Sequence, residues 1–292
     1  MEGKGLEGRI EHNEAQEPYS SRIELSFMRH AQKEKAPEKR DEDILLSPTG
    51  REQAMAKDRA ANVDQAVAFG TSRKRTRETA ALAMAGGEDD IAGDETLEEL
   101  QEKLDTDLKV GSKIGIDERL NFVLDETTEF GKEGYDAFNK GEYLKFLVEN
   151  SDALAEKLGD KDSTTYSRAA SKIAQVIEKY VQIAPQWDKL VNKEDSAYSE
   201  TLERFLSSHQ GILECFLAKV IEQTKGKKER DEFVELLGNQ GFGFAEGFKT
   251  DIVMRDGKPE IDISYRKEID PEHVFEFNEK IDEALLKEIA HS

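Results

Sequence analysis

The chain has 292 residues, 37% of them hydrophobic, with a formal net charge of −21 and a single cysteine, Cys215. That length holds one large domain, or one domain with a sizeable insertion. A lone cysteine excludes an intrachain disulfide, the acidity speaks against nucleic acid as a partner, and no stretch approaches the roughly 18 apolar residues of a membrane span.

In chain order, residues 1 to about 20 are polar and charged, without an apolar signal core, and are expected to form a flexible N-terminal segment of a soluble cytoplasmic protein. The apolar run from Ile23 to Met28 predicts a strand, and Arg29 to Ser47 a charged loop. Ser47-Pro48 followed by Glu52 reads as a helix start, with the helix expected to run to about Asn62. Val63 to Phe69 predicts a second buried strand, Gly70-Thr71-Ser72 its turn, and Arg75 to Met84 a helix. The segment Glu95 to Leu100 reads equally as strand or helix. From about 105 to 162 the chain becomes charged and helix-prone, which predicts a helical cap inserted into a domain that otherwise spans 21–292.

Ser167 to Ile183 carries apolar residues at helical spacing, Thr201 to Ser207 reads as a strand and Gln210 to Gln223 as a helix. Asp256-Gly257 between apolar alternations signals a hairpin. Pro271 to Ala290 reads as a closing amphipathic helix. Alternation of strands and helices predicts an α/β, three-layer sandwich with a mostly parallel central sheet and helices on both faces.

Two of the five histidines, His30 and His209, each follow a strand-like segment just before a turn or helix start. In open α/β sheets that carboxyl edge is where ligands are held. The densest basic cluster, Arg73-Lys74-Arg75-Thr76-Arg77, stands out in so acidic a chain as a candidate anion site. Histidines with arginines suit phosphoryl transfer. A neutral imidazole attacks phosphorus and forms a phosphohistidine, guanidinium forks bind the phosphoryl oxygens, and a carboxylic acid protonates the leaving oxygen.

Four blocks resemble those of the histidine phosphatase superfamily (phosphoglycerate mutase-like). Met28-Arg29-His30-Ala31 resembles its Arg-His-Gly signature, and Leu46-Ser47-Pro48-Thr49-Gly50-Arg51-Glu52-Gln53-Ala54 its Leu-Ser/Thr-x-x-Gly-x-x-Gln-Ala helix start. Thr71-Ser72-Arg73-Lys74-Arg75-Thr76-Arg77-Glu78-Thr79-Ala80 is similar to its Ser-Pro-x-x-Arg-Ala-x-x-Thr-Ala block, and Ser208-His209-Gln210-Gly211 to its Ser-His-Gly-Gly block. The resemblance implies His30 as nucleophile, Arg29 and Arg75 as phosphate-binding arginines, and His209 as donor to the phosphoryl oxygens. A leucine-x-Glu pattern at Leu97-Glu98-Glu99 implies Glu99 as proton donor, with Glu98 its adjacent competitor. Gln32, Lys33 and Gln210 are assigned to substrate binding, Lys33 by adding positive charge at the mouth.

The expected function is hydrolysis of a small phosphomonoester through a phosphohistidine, releasing inorganic phosphate and using neither cofactor nor metal. Two alternatives stand beside it. One is a phosphoglycerate mutase-type phosphotransferase, against which Ala36 speaks, standing where mutase-like members have an asparagine. The other is a catalytically weak phospholigand-binding module. His12, His273 and His291 are expected to be solvated, the acidic runs Asp41-Glu42-Asp43 and Glu88-Asp89-Asp90 to be solvated loops, and Tyr135, Phe138, Tyr143 and Phe146 to be core of the cap.

Overall fold

The strand β1 (Ser21–Arg29) alternates its side chains between two cores: Ile23, Leu25 and Phe27 enter one, Met28 the other. A computed structural model describes residues 19–86, 88, 90–104, 112–270 and 273–292; residues 1–18 of the expected flexible segment, with His12, and the start of the expected insertion lie outside these. After β1 come α1 (Pro48–Met55), β2 (Val67–Gly70), α2 (Lys74–Ala85), α3 (Leu97–Leu104) and β3 (Ile114–Ile116). The helical segment follows as α4 (Glu129–Lys140), α5 (Tyr143–Phe146) and α6 (Asp152–Leu158), with a π-helical turn joining the last two. The chain ends with α7 (Tyr166–Val191), β4 (Thr201–Ser208), α8 (Ile212–Thr224), α9 (Lys227–Leu236), β5 (Gly247–Arg255), β6 (Lys258–Asp270), β7 (His273–Ile281) and α10 (Glu283–Ala290).

Among the described residues the strands form one sheet in the order β3-β2-β4-β1-β5-β6-β7. The pairings from β3 to β1 are parallel, and those from β1 to β7 antiparallel. Helices cover both faces, as the α/β sandwich expectation requires. On one side the alanine-rich α2 packs with α1 and α3 around Met28, Leu82, Met84, Leu100 and Phe205. On the other, α7, α8 and α10 pack over Ile23, Leu25, Phe27 and the antiparallel strands.

Several boundaries differ from the sequence reading. The segment expected as one C-terminal helix is a strand and a short helix: His273–Ile281 pairs with β6, and α10 begins only after Asp282, whose side chain accepts the Leu285 N–H. The alternation Val274-Phe275-Glu276-Phe277 has the period of a strand, and the neighbouring β6 decides the outcome. The helix expected to reach Asn62 stops at Met55, and at the far end of the expected span the Glu203 carboxylate takes the backbone N–H groups of Ala61 and Asn62. Val63 to Ala66 precede the second strand rather than belonging to it. Within the expected insertion, Ile114–Ile116 is an edge strand of the sheet, and the first α-helix among the described residues begins at Glu129. The Asp256-Gly257 hairpin forms as read, both residues taking positive φ (50° and 75°).

No helix among the described residues is long and apolar enough to cross a membrane.

Candidate active site

β1 and β4 are parallel neighbours whose last residues, Arg29 and Ser208, are in register. Arg29-His30 and His209 therefore leave the sheet side by side at its carboxyl edge, and the His30 N–H donates to the Ser208 carbonyl at 2.8 Å. The imidazole centroids lie 5.3 Å apart, with the rings at 69°.

The side chains of the second and third motif blocks hold the backbone that follows His30. Thr79 Oγ1 accepts the Ala31 N–H at 3.0 Å, and Gln53 Oε1 accepts the Gln32 N–H at 3.1 Å. Gly50 packs so closely that a Cβ there would sit 2.0 Å from the Gln32 carbonyl oxygen. Glu78, fully buried, accepts the Leu46 N–H at 2.7 Å and pairs with Arg51. These residues support the loop and do not themselves enter the cleft.

His30 Nδ1 lies 2.8 Å from the Ala31 carbonyl. A carbonyl only accepts, so Nδ1 carries the proton and the Nε2 lone pair is free. Burial first, and then the positive charge of Arg75, push the His30 pKa down to about 3, so its imidazole is neutral at pH 7. His209 is likewise pushed well below its usual value, by burial and then by His30 and Arg75. Its Nε2 is 3.2 Å from the Thr71 hydroxyl, while its buried Nδ1 has no hydrogen-bond partner among the described residues. Arg29 Nε and Arg75 Nε are buried without partners in the same way. Two unpaired buried guanidinium donors and an unpartnered imidazole nitrogen beside the neutral His30 ring form a cradle suited to an anion.

Arg29 is held by the Phe242 carbonyl and lies under Phe244, its guanidinium carbon 4.6 Å from the ring centroid. Glu214 on α8, fully buried, accepts the N–H groups of Gly211 (2.9 Å) and Phe242 (2.6 Å), and so ties the Phe242 loop to the helix start beside His209. Above that start sit α5 and the π-helical turn that follows it: a Cβ on Gly211 would meet Leu147 at 2.7 Å and Tyr143 at 2.9 Å. Phe122 stands edge-on to His209 at 4.9 Å and carries the Arg73 guanidinium on its face at 4.4 Å.

The structure brings Arg29, His30, Arg75 and His209 together. It does not bring Glu99 to them. The Glu99 carboxylate accepts the Thr96 N–H at 2.7 Å while its own N–H donates to Thr96 Oγ1 at 3.2 Å, a reciprocal cap at the exposed start of α3. Glu98, the adjacent competitor, is exposed on the same turn. The leucine-x-Glu match is thus a helix start, and a Thr three residues before a Glu was the sequence signal for it. Lys33 stands at the mouth, 3.7 Å from Asp41. Gln210 turns its amide to the Gln240 carbonyl at 2.7 Å and braces a loop, and Gln32 contributes chiefly its backbone.

Two further expectations change. Asp41, read as part of a solvated acidic run, pairs with both Arg73 (2.6 Å) and Arg75 (3.1 Å). Of the four cap aromatics, Tyr143 and Phe146 are buried as expected, whereas Tyr135 and Phe138 are exposed. Phe122, Phe242, Phe244 and Glu214 were not singled out from the sequence, since each acts through contacts distant in the chain.

Residues 25–107 match the family model described as the histidine phosphatase superfamily (branch 1). The resemblance to the histidine phosphatase superfamily is thereby shown. The matched segment holds three of the four blocks, from Arg29-His30 to Thr79-Ala80. No curated protein sequence matches the chain. Among solved structures, the chain is similar to a protein described as mycobacterial hydrolase 1 (17% identity over 89% of this chain and 97% of that one, TM-score 0.43). It is also similar to a mycobacterial glucosyl-3-phosphoglycerate phosphatase (16% identity, 89% and 97%, TM-score 0.41). A third is a phosphoserine phosphatase variant from Entamoeba histolytica in complex with phosphoserine (15% identity, 81% and 93%, TM-score 0.36).

Proposed function

We propose that the protein is a phosphomonoester hydrolase of the histidine phosphatase type, acting on a small phosphorylated substrate. The observation that carries this reading is the state of His30: a buried, neutral imidazole with its Nδ1 proton anchored on Ala31, beside the unpartnered Nε–H groups of Arg29 and Arg75 and the unpartnered Nδ1 of His209. His30 Nε2 attacks phosphorus in line as the bond to the leaving oxygen breaks, and the guanidinium forks and His209 Nδ1–H hold the equatorial oxygens. Water then cleaves the phosphohistidine, releasing inorganic phosphate and restoring neutral His30. The chemistry calls on no metal and no cofactor.

A phospholigand-binding module is the second reading, favoured by the position of Glu99 in a helix cap. The test is hydrolysis of para-nitrophenyl phosphate with chelator present, for the wild type and His30→Ala. Turnover lost in the variant supports the hydrolase; no turnover in either protein, with inorganic phosphate still bound, supports the binding module.

A further inference from the structure

With Glu99 capping a helix, the cleft needs another group to handle the proton of the leaving oxygen. We infer that Asp41 is the general acid–base group of this site, an assignment that rests on the hydrolase reading above.

Among the described residues, other carboxylates near the cradle are engaged by structural partners. Glu214 is held by the Gly211 and Phe242 N–H groups, Glu246 by Gly243, Tyr265 and Lys267, and Glu118 by Ser72 and Asn121. Asp41 is different: its side-chain partners are cations, and one of them is the cradle arginine Arg75 itself. Its Oδ1 is 3.1 Å from Arg75 Nη1, its Oδ2 accepts from Arg75 Nη2 at 3.1 Å and from Arg73 Nε at 2.6 Å, and Lys33 Nζ lies 3.7 Å away. Its backbone carbonyl also accepts from Arg75 Nη1, at 2.7 Å. The loop that carries it is anchored by Glu34, which takes Lys39 at 2.7 Å and the Leu45 N–H at 3.0 Å.

Asp41 also stands at the right depth. His30 and His209 are buried at the base of the cleft, whereas the Asp41 side chain is 46% exposed at its mouth. In-line displacement places the leaving oxygen on the far side of phosphorus from His30, and hence towards that mouth. Asp41 therefore stands on the side where a proton is needed.

Asp41 also responds to substrate. In the free protein, burial pushes the Asp41 carboxyl up, but hydrogen bonds from Arg73 and Arg75 outweigh it and hold the group at about 2. A phosphoryl dianion in the cradle takes over the Arg75 fork and sets a like charge beside Asp41, and both changes favour its protonated form. Tyr135 of α4 also faces Asp41 and Arg73; burial and then Glu126 and Asp41 raise its phenol, making it a weaker donor. In the first step His30 Nε2 bonds to phosphorus, the ester P–O bond breaks, and the Asp41 proton passes to the departing oxygen to give the alcohol. In the second, Asp41 takes a proton from water as that oxygen attacks phosphorus and the P–N bond breaks, so phosphate leaves and Asp41 is protonated again.

The experiment compares kcat/KM on para-nitrophenyl phosphate, whose phenolate leaves without a proton, with that on β-glycerophosphate, whose alkoxide does not. Asp41→Asn should lose at least about a hundredfold more on the alkyl ester than on the aryl ester, the scale of general-acid assistance. Asp41→Glu should recover part of that difference, and calorimetric binding of inorganic phosphate to Asp41→Asn should show the cradle intact. Equal losses on both esters, or faster turnover of both, would overturn the assignment; the latter would mean that Asp41 merely competes with phosphate for Arg75. If Asp41→Asn does not fold, an equal effect of Asp41→Glu on the two esters overturns it as well. A wild type inert towards both esters removes the hydrolase reading itself, and the inference with it.

Discussion

The hydroxyl of Thr79, at the middle of α2, accepts the backbone N–H of Ala31 at 3.0 Å and donates to the Arg75 carbonyl at 2.8 Å. One buried side chain thus ties the residue after His30 to the helix turn carrying Arg75. Thr79→Val keeps the shape and removes the hydroxyl, leaving the Ala31 N–H without its acceptor. Urea unfolding should show a loss of about 1–3 kcal/mol, and kcat/KM should fall in the same variant.

If His30 is the nucleophile, His30→Ala should reduce kcat/KM on para-nitrophenyl phosphate by at least about a thousandfold, because the covalent route goes through its Nε2. Its circular dichroism spectrum should match that of the wild type. Full activity in a folded variant would exclude His30 as nucleophile.

The depressed pKa of His30 has a consequence for stability. Burial and Arg75 keep the folded-state value at about 3, against about 6.5 for an unfolded histidine. Between these values the unfolded chain binds a proton that the folded protein refuses, so stability falls as pH drops through 6.5 and levels off below 3. From pH 7 to pH 5 the contribution of His30 is a loss of about 2 kcal/mol. His209 acts in the same direction. Denaturation midpoints at the two pH values, compared between the wild type and His30→Asn, check this: the asparagine variant should show a shallower dependence.

Gly50→Ala places a methyl group where the Gln32 carbonyl oxygen lies, 2.0 Å from the ideal Cβ position. Since both partners are backbone, the loop after His30 must move. Overpacking of this kind costs about 1–3 kcal/mol, and the accompanying shift of His30 should lower kcat more than it raises KM. Single-turnover kinetics alongside urea unfolding separate the two effects.

Glu99→Ala removes one half of the cap at the start of α3 and leaves the cleft untouched. The melting temperature should drop slightly while the ratio of alkyl to aryl ester turnover stays as in the wild type. A selective loss on the alkyl ester would return the proton-donor role to Glu99.

Much of the site was legible in the four blocks. The reason is local: Arg29-His30 and His209 end strands, Arg75 and Thr79 share one helix face, and Ser47-Pro48 starts a helix by its own capping chemistry. The strand at His273–Ile281 was not legible, because a short alternating segment becomes a strand only when a partner such as β6 supplies its hydrogen bonds. Asp41 shows the same limit at the site. The Thr96-x-x-Glu99 spacing does mark Glu99 as a helix cap, but nothing among the neighbours of Asp41 in the chain signals that it reaches Arg75.

The sequence by itself determined the positions of Arg29, His30 and Arg75 at a strand end and a helix start, because those features rest on contacts within a strand end or a helix turn. Only the tertiary structure decided that β1 and β4 lie side by side in register, that Phe122 and Glu214 flank the histidines, and that Asp41 rather than Glu99 faces the cradle. Those outcomes depend on ion pairs and packing between segments dozens of residues apart, whose energies arise only once the sheet has brought the segments together.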